Sequence, residues 1–178
     1  TYGFRHLSGV GVAFKLAHAL LRQTGVEERR AKSFLTSLLD IVAVGTVADI
    51  APLVGENRAL VRAGLARFEQ TENVGLSALL SLCERKGPIA QAETITYFLA
   101  PRLNAPGRTE HASLAVELLT TSDRNRAIEL AHQLDQLNDR RRAIERRIFD
   151  EGLALVRQQC DMANDLVYVV LGHDWHLG

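Results

Sequence analysis

The sequence is poor in cysteine and carries no excess of either charge. Its two cysteines, Cys83 and Cys160, lie far apart with no CxxC spacing, which predicts free thiols in a reducing compartment. The 21 basic and 21 acidic residues cancel, so no overall field draws the chain to nucleic acid or to a membrane. Any anionic partner must therefore be held by a local patch of positive charge.

Long apolar runs are also missing. No run approaches the roughly 20 residues that a membrane span requires, and no signal-like segment opens the chain, so we expect no membrane partner. With 178 residues, 47% of them hydrophobic, the chain can bury a core of one domain or slightly more. It begins at Thr1 without a methionine, and we expect it to be a piece of a longer protein.

Most of the sequence shows helical periodicity. Ser8 is predicted to cap a helix whose apolar residues Val12, Leu16 and Leu20 share one face. From Asp123 to about Gln159 there is no proline and apolar residues recur every three to four positions, which predicts one helix of about 55 Å. Helices of this length more often connect two domains than pack inside one.

Two segments rich in β-branched residues point to strands instead. The stretch 41–48, IVAVGTVA, follows a helical pattern, but its valines leave a buried strand as an alternative. The stretch DLVYVVLG, 165–172, predicts a buried strand that opens a further unit. His173 and His176 flank Trp175 just after it and are left without a role.

A single acid, Asp49, ends the apolar segment VAVGTVADIAPL. In one interpretation its side chain accepts backbone N–H groups in a turn or cap. In the other it is a metal ligand, because divalent cations prefer carboxylate oxygens. The sequence holds no DxD, no paired histidines and no HExxH that would complete a metal site, so both interpretations stay open.

Arginines concentrate in two further places. The stretch PRLNAPGR, 101–108, predicts a rigid polar turn in which Arg102, Asn104 and Arg108 either bind phosphate or, for the arginines, pair with carboxylates at a helix junction. The run DRRRAIERR, 139–147, lies on the predicted long helix. A charge run of this kind is interpreted as the solvated face of that helix.

Several blocks, in this order, resemble the RecJ family of the DHH phosphoesterase superfamily, and the resemblance covers nearly the whole chain. The blocks are LSGVGVAFKLAHAL, LLDIVAVGTVADIAPLVGENRALVRAGL, YFLAPRLNAPGR, ASLAVELLTT, LDQLNDRRRAIER and GHDWHLG. The resemblance implies an α/β parent of which this piece is predominantly α-helical. It places the C-terminal portion of the DHH domain at 1–122, a connecting helix at 123–160, and the start of the DHH-associated domain, with a short strand, at 161–178.

The resemblance also implies an activity. Members are bacterial, cytoplasmic exonucleases that hydrolyse single-stranded DNA from 5′ to 3′ in repair and recombination, with two divalent metals, Mn²⁺ preferred or Mg²⁺. Asp49 matches the family's last metal-binding aspartate, and the other ligands are expected upstream of Thr1, so the isolated piece should be inactive. Arg102, Asn104 and Arg108 match its phosphate-binding stretch. A monomer is expected, with single-stranded DNA, single-strand-binding protein and a helicase as partners.

Two other functions are compatible with the sequence. A related DHH phosphoesterase would act on short oligonucleotides or cyclic dinucleotides. A non-catalytic helical interaction module would use the arginines to bind an acidic partner. The sequence leaves polarity, processivity and metal preference undecided.

Overall fold

The computed structural model describes residues 2–83, 90–109, 112–160 and 166–175, without the side chains of 108 and 109. Most of the described residues are helical, and no strand occurs among them. The helices are α1 (Gly9–Gln23), α2 (Glu28–Ser37), α3 (Leu39–Ala48), α4 (Gly55–Leu65), α5 (Val74–Ser81), α6 (Ala92–Thr94), α7 (Ala100–Thr109), α8 (Ser113–Thr120) and α9 (Arg124–Gln159). A 3₁₀ turn, Phe68–Gln70, follows α4, and a π-helical turn, Ile95–Leu99, joins α6 to α7.

The core is built from residues of α3, α4, α5, α8, the 3₁₀ and π-helical turns and the first half of α9. Its largest members are fully buried apolar side chains: Phe68, Leu76, Leu79, Ile95, Leu99, Leu118, Leu130 and Leu134. Burying a side chain of this size stabilises the fold by about 1.5–3 kcal/mol. The core therefore fixes the three elements that later carry the candidate site, namely α3, α7 and α9.

The long helix is confirmed as α9. The carboxylate of Asp123 caps it by accepting the backbone N–H groups of Asn125 and Arg126 at 2.8 and 3.3 Å. Its buried residues end at Asn138, so the second half of the helix leaves the core. There the indole Nε1 of Trp175 donates to Glu151 at 3.0 Å. The division into domains at 122 and 160 stays a prediction.

The segment 41–48 is helical, which decides between the helix and the buried strand. It forms most of α3, and Val42, Ala43, Val44 and Val47 are all buried. The helix is apolar around most of its circumference because it is enclosed by neighbours on several sides. The strand predicted near the end of the chain is not formed at 166–175, where the chain is irregular. A strand needs a neighbouring strand to bond to, and the described residues offer none.

The predicted turn at 101–108 is wrong, because these residues belong to helix α7. The π-helical turn before it explains how Pro101 fits. The backbone N–H of Ala100 bonds to the carbonyl of Ile95, five residues earlier, which widens the helix just ahead of the proline ring. Bulges of this kind recur at functional sites.

The cap of α1 is confirmed, but its apolar face is not buried. The hydroxyl of Ser8 accepts the backbone N–H of Gly11 at 3.2 Å. Val12, Leu16 and Leu20 are 57%, 60% and 51% exposed. Among the described residues no single helix is long and apolar enough to cross a membrane. The bent pair of α2 and α3 has the length and apolar composition of a membrane span only when the two helices are taken together.

One surface network should make stability depend on acid pH. Lys15 Nζ lies 2.6 Å from Glu56 Oε2, and the Tyr2 hydroxyl donates to the same carboxylate at 2.7 Å. The hydrogen bonds from Lys15 and Tyr2 lower the pKa of Glu56 below its ordinary 4.5. The stability this provides is therefore present above about pH 4.5 and is lost as the pH falls through the lowered pKa.

We expect Glu56→Gln to melt a few degrees at most below the wild-type chain at pH 7 and together with it at pH 3. Thermal denaturation of both proteins at the two pH values measures this. A Tm difference that stays the same at pH 3 would show that the carboxylate charge contributes nothing.

Candidate functional site

Asp49 lies where α3 ends and the chain turns towards α4. The turn is a Schellman motif, in which the N–H of Ala51 bonds to the carbonyl of Thr46 at 3.3 Å and that of Ile50 to Val47 at 3.0 Å. Ile50 occupies the left-handed position, at φ 53°, which usually belongs to glycine. A β-branched residue is strained there by about 1–3 kcal/mol. The backbone closes the helix without help from the Asp49 side chain.

The carboxylate of Asp49 is exposed and has no hydrogen-bond partner among the described residues. It therefore does not act as the turn or cap acceptor of the first interpretation. At the C-terminal end of a helix a negative charge also opposes the helix dipole, at a cost of about 0.3–1 kcal/mol. In the part of the chain that the structure describes, no contact of the Asp49 carboxylate explains it as a stabilising residue.

A buried polar network holds the segment that carries Asp49. The Ser8 and Thr46 hydroxyls lie 2.8 Å apart, and Asn57 Oδ1 accepts the Ser8 backbone N–H at 3.4 Å. The Asn57 amide nitrogen donates to the carbonyls of His6 at 2.6 Å and Pro52 at 3.0 Å. Because Asn57 is fully buried, these bonds tie the loop after Asp49 to the start of α1 and to α4.

A cleft of about 210 Å³ lies between the end of α3, the start of α7 and the middle of α9. The residues on either side of Asp49, Ala48 and Ile50, form one wall. Asn104 on α7 and Arg141 on α9 line the other walls. Of the predicted site residues whose side chains are described, Asn104 lines this cleft, whereas Asp49 does not, although its two neighbours in sequence do.

Arg102 lies elsewhere and has partners of its own. Its Nε donates to Asp135 Oδ1 at 2.7 Å, and its Nη1 donates to the Phe98 carbonyl at 3.0 Å. The guanidinium stacks on the Phe98 ring, with Cζ 3.7 Å from the ring centre, and the side chain is 12% exposed. Arg102 therefore forms the ion pair with a carboxylate at a helix junction that was one of its two predicted roles, and the junction is between α7 and α9. Phosphate binding by Arg102 stays a prediction, and the Arg108 side chain lies outside the described residues.

The described residues hold no group of three or more histidine, cysteine or acidic side chains that could bind a metal ion. Asp49 nevertheless carries a suitable group, since carboxylate oxygens are among the ligands that Mg²⁺ and Mn²⁺ prefer. The role of Asp49 as a metal ligand stays a prediction.

Two residues of this region were not identified from the sequence. In the sequence GENRALVRAGL, Asn57 has no feature that sets it apart from other helical residues. Only the structure shows that it is buried and holds the loop that follows Asp49. Arg141 was assigned to a solvated face, but its side chain is 21% exposed and lines the cleft. The signal available for Arg141 was its position in the helical repeat, four residues after the buried Leu137.

Comparison with known proteins places the chain among RecJ proteins, although no protein-family model matches it. It is 45% identical over 159 residues to the single-stranded-DNA-specific exonuclease RecJ of Bacillus subtilis, covering 89% of this chain and 19% of the relative. It is 37% identical over 183 residues to the protein of the same name from Escherichia coli, covering 98% and 32%.

The fold agrees with a solved structure. The crystal structure of RecJ in complex with Mg²⁺ from Thermus thermophilus matches with a TM-score of 0.75 and 36% identity, over 85% of this chain and 23% of that one. The chain spans between about a fifth and a third of the length of the curated relatives above. Sequence and fold agree that the chain belongs to the RecJ family, as a segment of that family's longer protein.

Proposed function

We propose that this chain is part of a metal-dependent exonuclease that hydrolyses single-stranded DNA from the 5′ end, in repair and recombination. The observation that carries the proposal is the exposed carboxylate of Asp49, which has no hydrogen-bond partner among the described residues and lies between two residues, Ala48 and Ile50, that line a cleft. Relatives named as single-stranded-DNA-specific exonucleases support the substrate, and matching structures with Mg²⁺ or Mn²⁺ support the cofactor.

Each residue has a defined task in this proposal. Asp49 binds one divalent cation through a carboxylate that is not needed for capping. Two cations, when bound, supply a hydroxide nucleophile and stabilise the charge on the phosphate. The Asn104 amide and the Arg108 guanidinium donate hydrogen bonds to phosphate oxygens of the strand. Arg102 does so only when its pair with Asp135 opens, and otherwise holds α7 against α9.

The partners belong to the same proposal. We expect a monomeric, cytoplasmic bacterial enzyme whose DNA is supplied by a helicase and covered by single-strand-binding protein. Neither protein is needed for hydrolysis of a short free strand, so the core activity is testable without them.

The direct test uses the intact protein that contains this chain, with single-stranded DNA labelled at either end. In Mn²⁺ or Mg²⁺ we expect stepwise loss of nucleotides from the 5′ end, no loss in EDTA, and little attack on blunt duplex. This chain by itself should be inactive, because its described residues hold no cluster of metal ligands. Cleavage restricted to dinucleotides or cyclic dinucleotides would instead indicate a related phosphoesterase, and DNA binding without any hydrolysis would indicate a binding module.

A further inference from the structure

Arg141 differs from the other arginines of the run 139–147. Its side chain is 21% exposed and lines the cleft between α3, α7 and α9, whereas Arg140 and Arg142 are exposed to solvent. Successive residues on a helix point about 100° apart, so only one of the three can face the cleft. The neighbours Arg140 and Arg142 therefore have the same charge on the same helix without access to the same space.

The Arg141 side chain is held in place by a buried amide. Asn138 is 1% exposed, and its Oδ1 accepts from Arg141 Nε at 3.4 Å and from Nη2 at 3.3 Å. The Nη1 group pairs with Glu145, one turn further along α9, whose side chain is 48% exposed. Asn138 thus fixes the guanidinium at the cleft, while Glu145 is a solvent-accessible partner that can be exchanged.

The cleft is otherwise uncharged. Among the described residues that line it, Arg141 alone is ionised, and the polar groups beside it are the Asn104 amide and the Thr96 hydroxyl. A guanidinium with a neutral hydrogen-bonding amide opposite is suited to an anion with several oxygens. No carboxylate occurs among the described residues that line the cleft.

We propose that Arg141 binds a phosphodiester of the single-stranded DNA, and that Glu145 occupies its guanidinium only in the DNA-free protein. The proposal rests on the proposed function, because it assigns a further substrate-binding residue to that cleft. Asn138 is the positioning residue, and the carboxylate of Glu145 competes with the phosphate for the same N–H donors.

The test is a salt titration of single-stranded DNA binding by the intact protein, in Ca²⁺ or EDTA so that the strand is not degraded. Arg141→Ala should weaken binding about tenfold and flatten the slope of log K against log salt by about 0.7. Arg141→Lys should restore the slope but only part of the affinity, because an ammonium lacks the planar fork. Arg142→Ala, the matched control, should leave both unchanged.

Glu145→Gln separates substrate binding from a structural role. It removes the competing charge, so DNA should bind more tightly than to wild type even if the melting temperature falls slightly. If Glu145→Gln leaves affinity unchanged, or Arg141→Ala has the wild-type slope, the proposal is wrong. A wild-type protein that neither binds nor degrades single-stranded DNA would instead overturn the proposed function, and the assignment of Arg141 with it.

Discussion

Replacing Asp49 by asparagine in the intact protein is expected to lower kcat at least about 100-fold with little change in stability. Asparagine keeps the size of the side chain but loses the charge that binds a cation. Because the carboxylate accepts no hydrogen bond from the described residues, no structural bond is lost. Relieving its repulsion with the end of α3 should leave Tm unchanged or raise it by up to about 3 °C without metal.

The measurement is hydrolysis of a 5′-phosphorylated single strand, together with thermal denaturation in EDTA. Asp150→Asn is a suitable control, since Asp150 is also an exposed acid, on the outer half of α9. It should keep wild-type activity. An Asp49→Asn protein that retains activity but melts many degrees lower would show that Asp49 is a structural cap after all.

The second large effect is on folding. Gly64→Ala is expected to lower the free energy of unfolding of this chain by about 2–3 kcal/mol, or Tm by roughly 5–10 °C. A Cβ at Gly64 would lie 2.1 Å from the carbonyl oxygen of Leu39 and 2.6 Å from Cβ of Ala43. Helices α3 and α4 pack backbone to backbone at this point, so one of them must move. Helix α3 carries Asp49, and its displacement would also disturb the cleft.

Chemical denaturation followed by circular dichroism at 222 nm measures this loss. Gly9→Ala is the matched control, because a Cβ at Gly9 has no neighbour within 4 Å. That variant should be as stable as wild type. Equal stability of the two variants would mean that α3 and α4 do not approach as closely as described.

The parts of the fold that local signals determine were predictable from the sequence. Ser8 and Asp123 cap α1 and α9 as their side chains allow, and a long uninterrupted repeat specifies α9. The stretch 101–108 was misjudged because its two prolines suggest a turn. The π-helical turn that admits Pro101 depends on the carbonyl geometry of the preceding residues, which no local pattern reveals.

The candidate site was predictable only where a residue is chemically unusual in its setting. Asp49 stands out in the sequence as one acid in an apolar segment. Only the structure shows that the backbone bonds of the Schellman motif end α3 without a hydrogen bond to the Asp49 carboxylate from the described residues. Helical periodicity shows which residues share a face of a helix, but it does not show which other elements pack against that face. For that reason the pattern places Val12 and Leu16 on one face but does not show that this face is exposed, and Arg141, expected on the solvated face, lines the cleft.

Whether Asp49 binds a catalytic cation can be seen by anomalous diffraction from crystals of the intact protein grown with Mn²⁺. We expect a manganese peak at bonding distance from an Asp49 carboxylate oxygen, and its loss in the Asp49→Asn protein. Manganese bound only by other residues, with the Asp49 carboxylate still in solvent, would show that Asp49 is not a metal ligand.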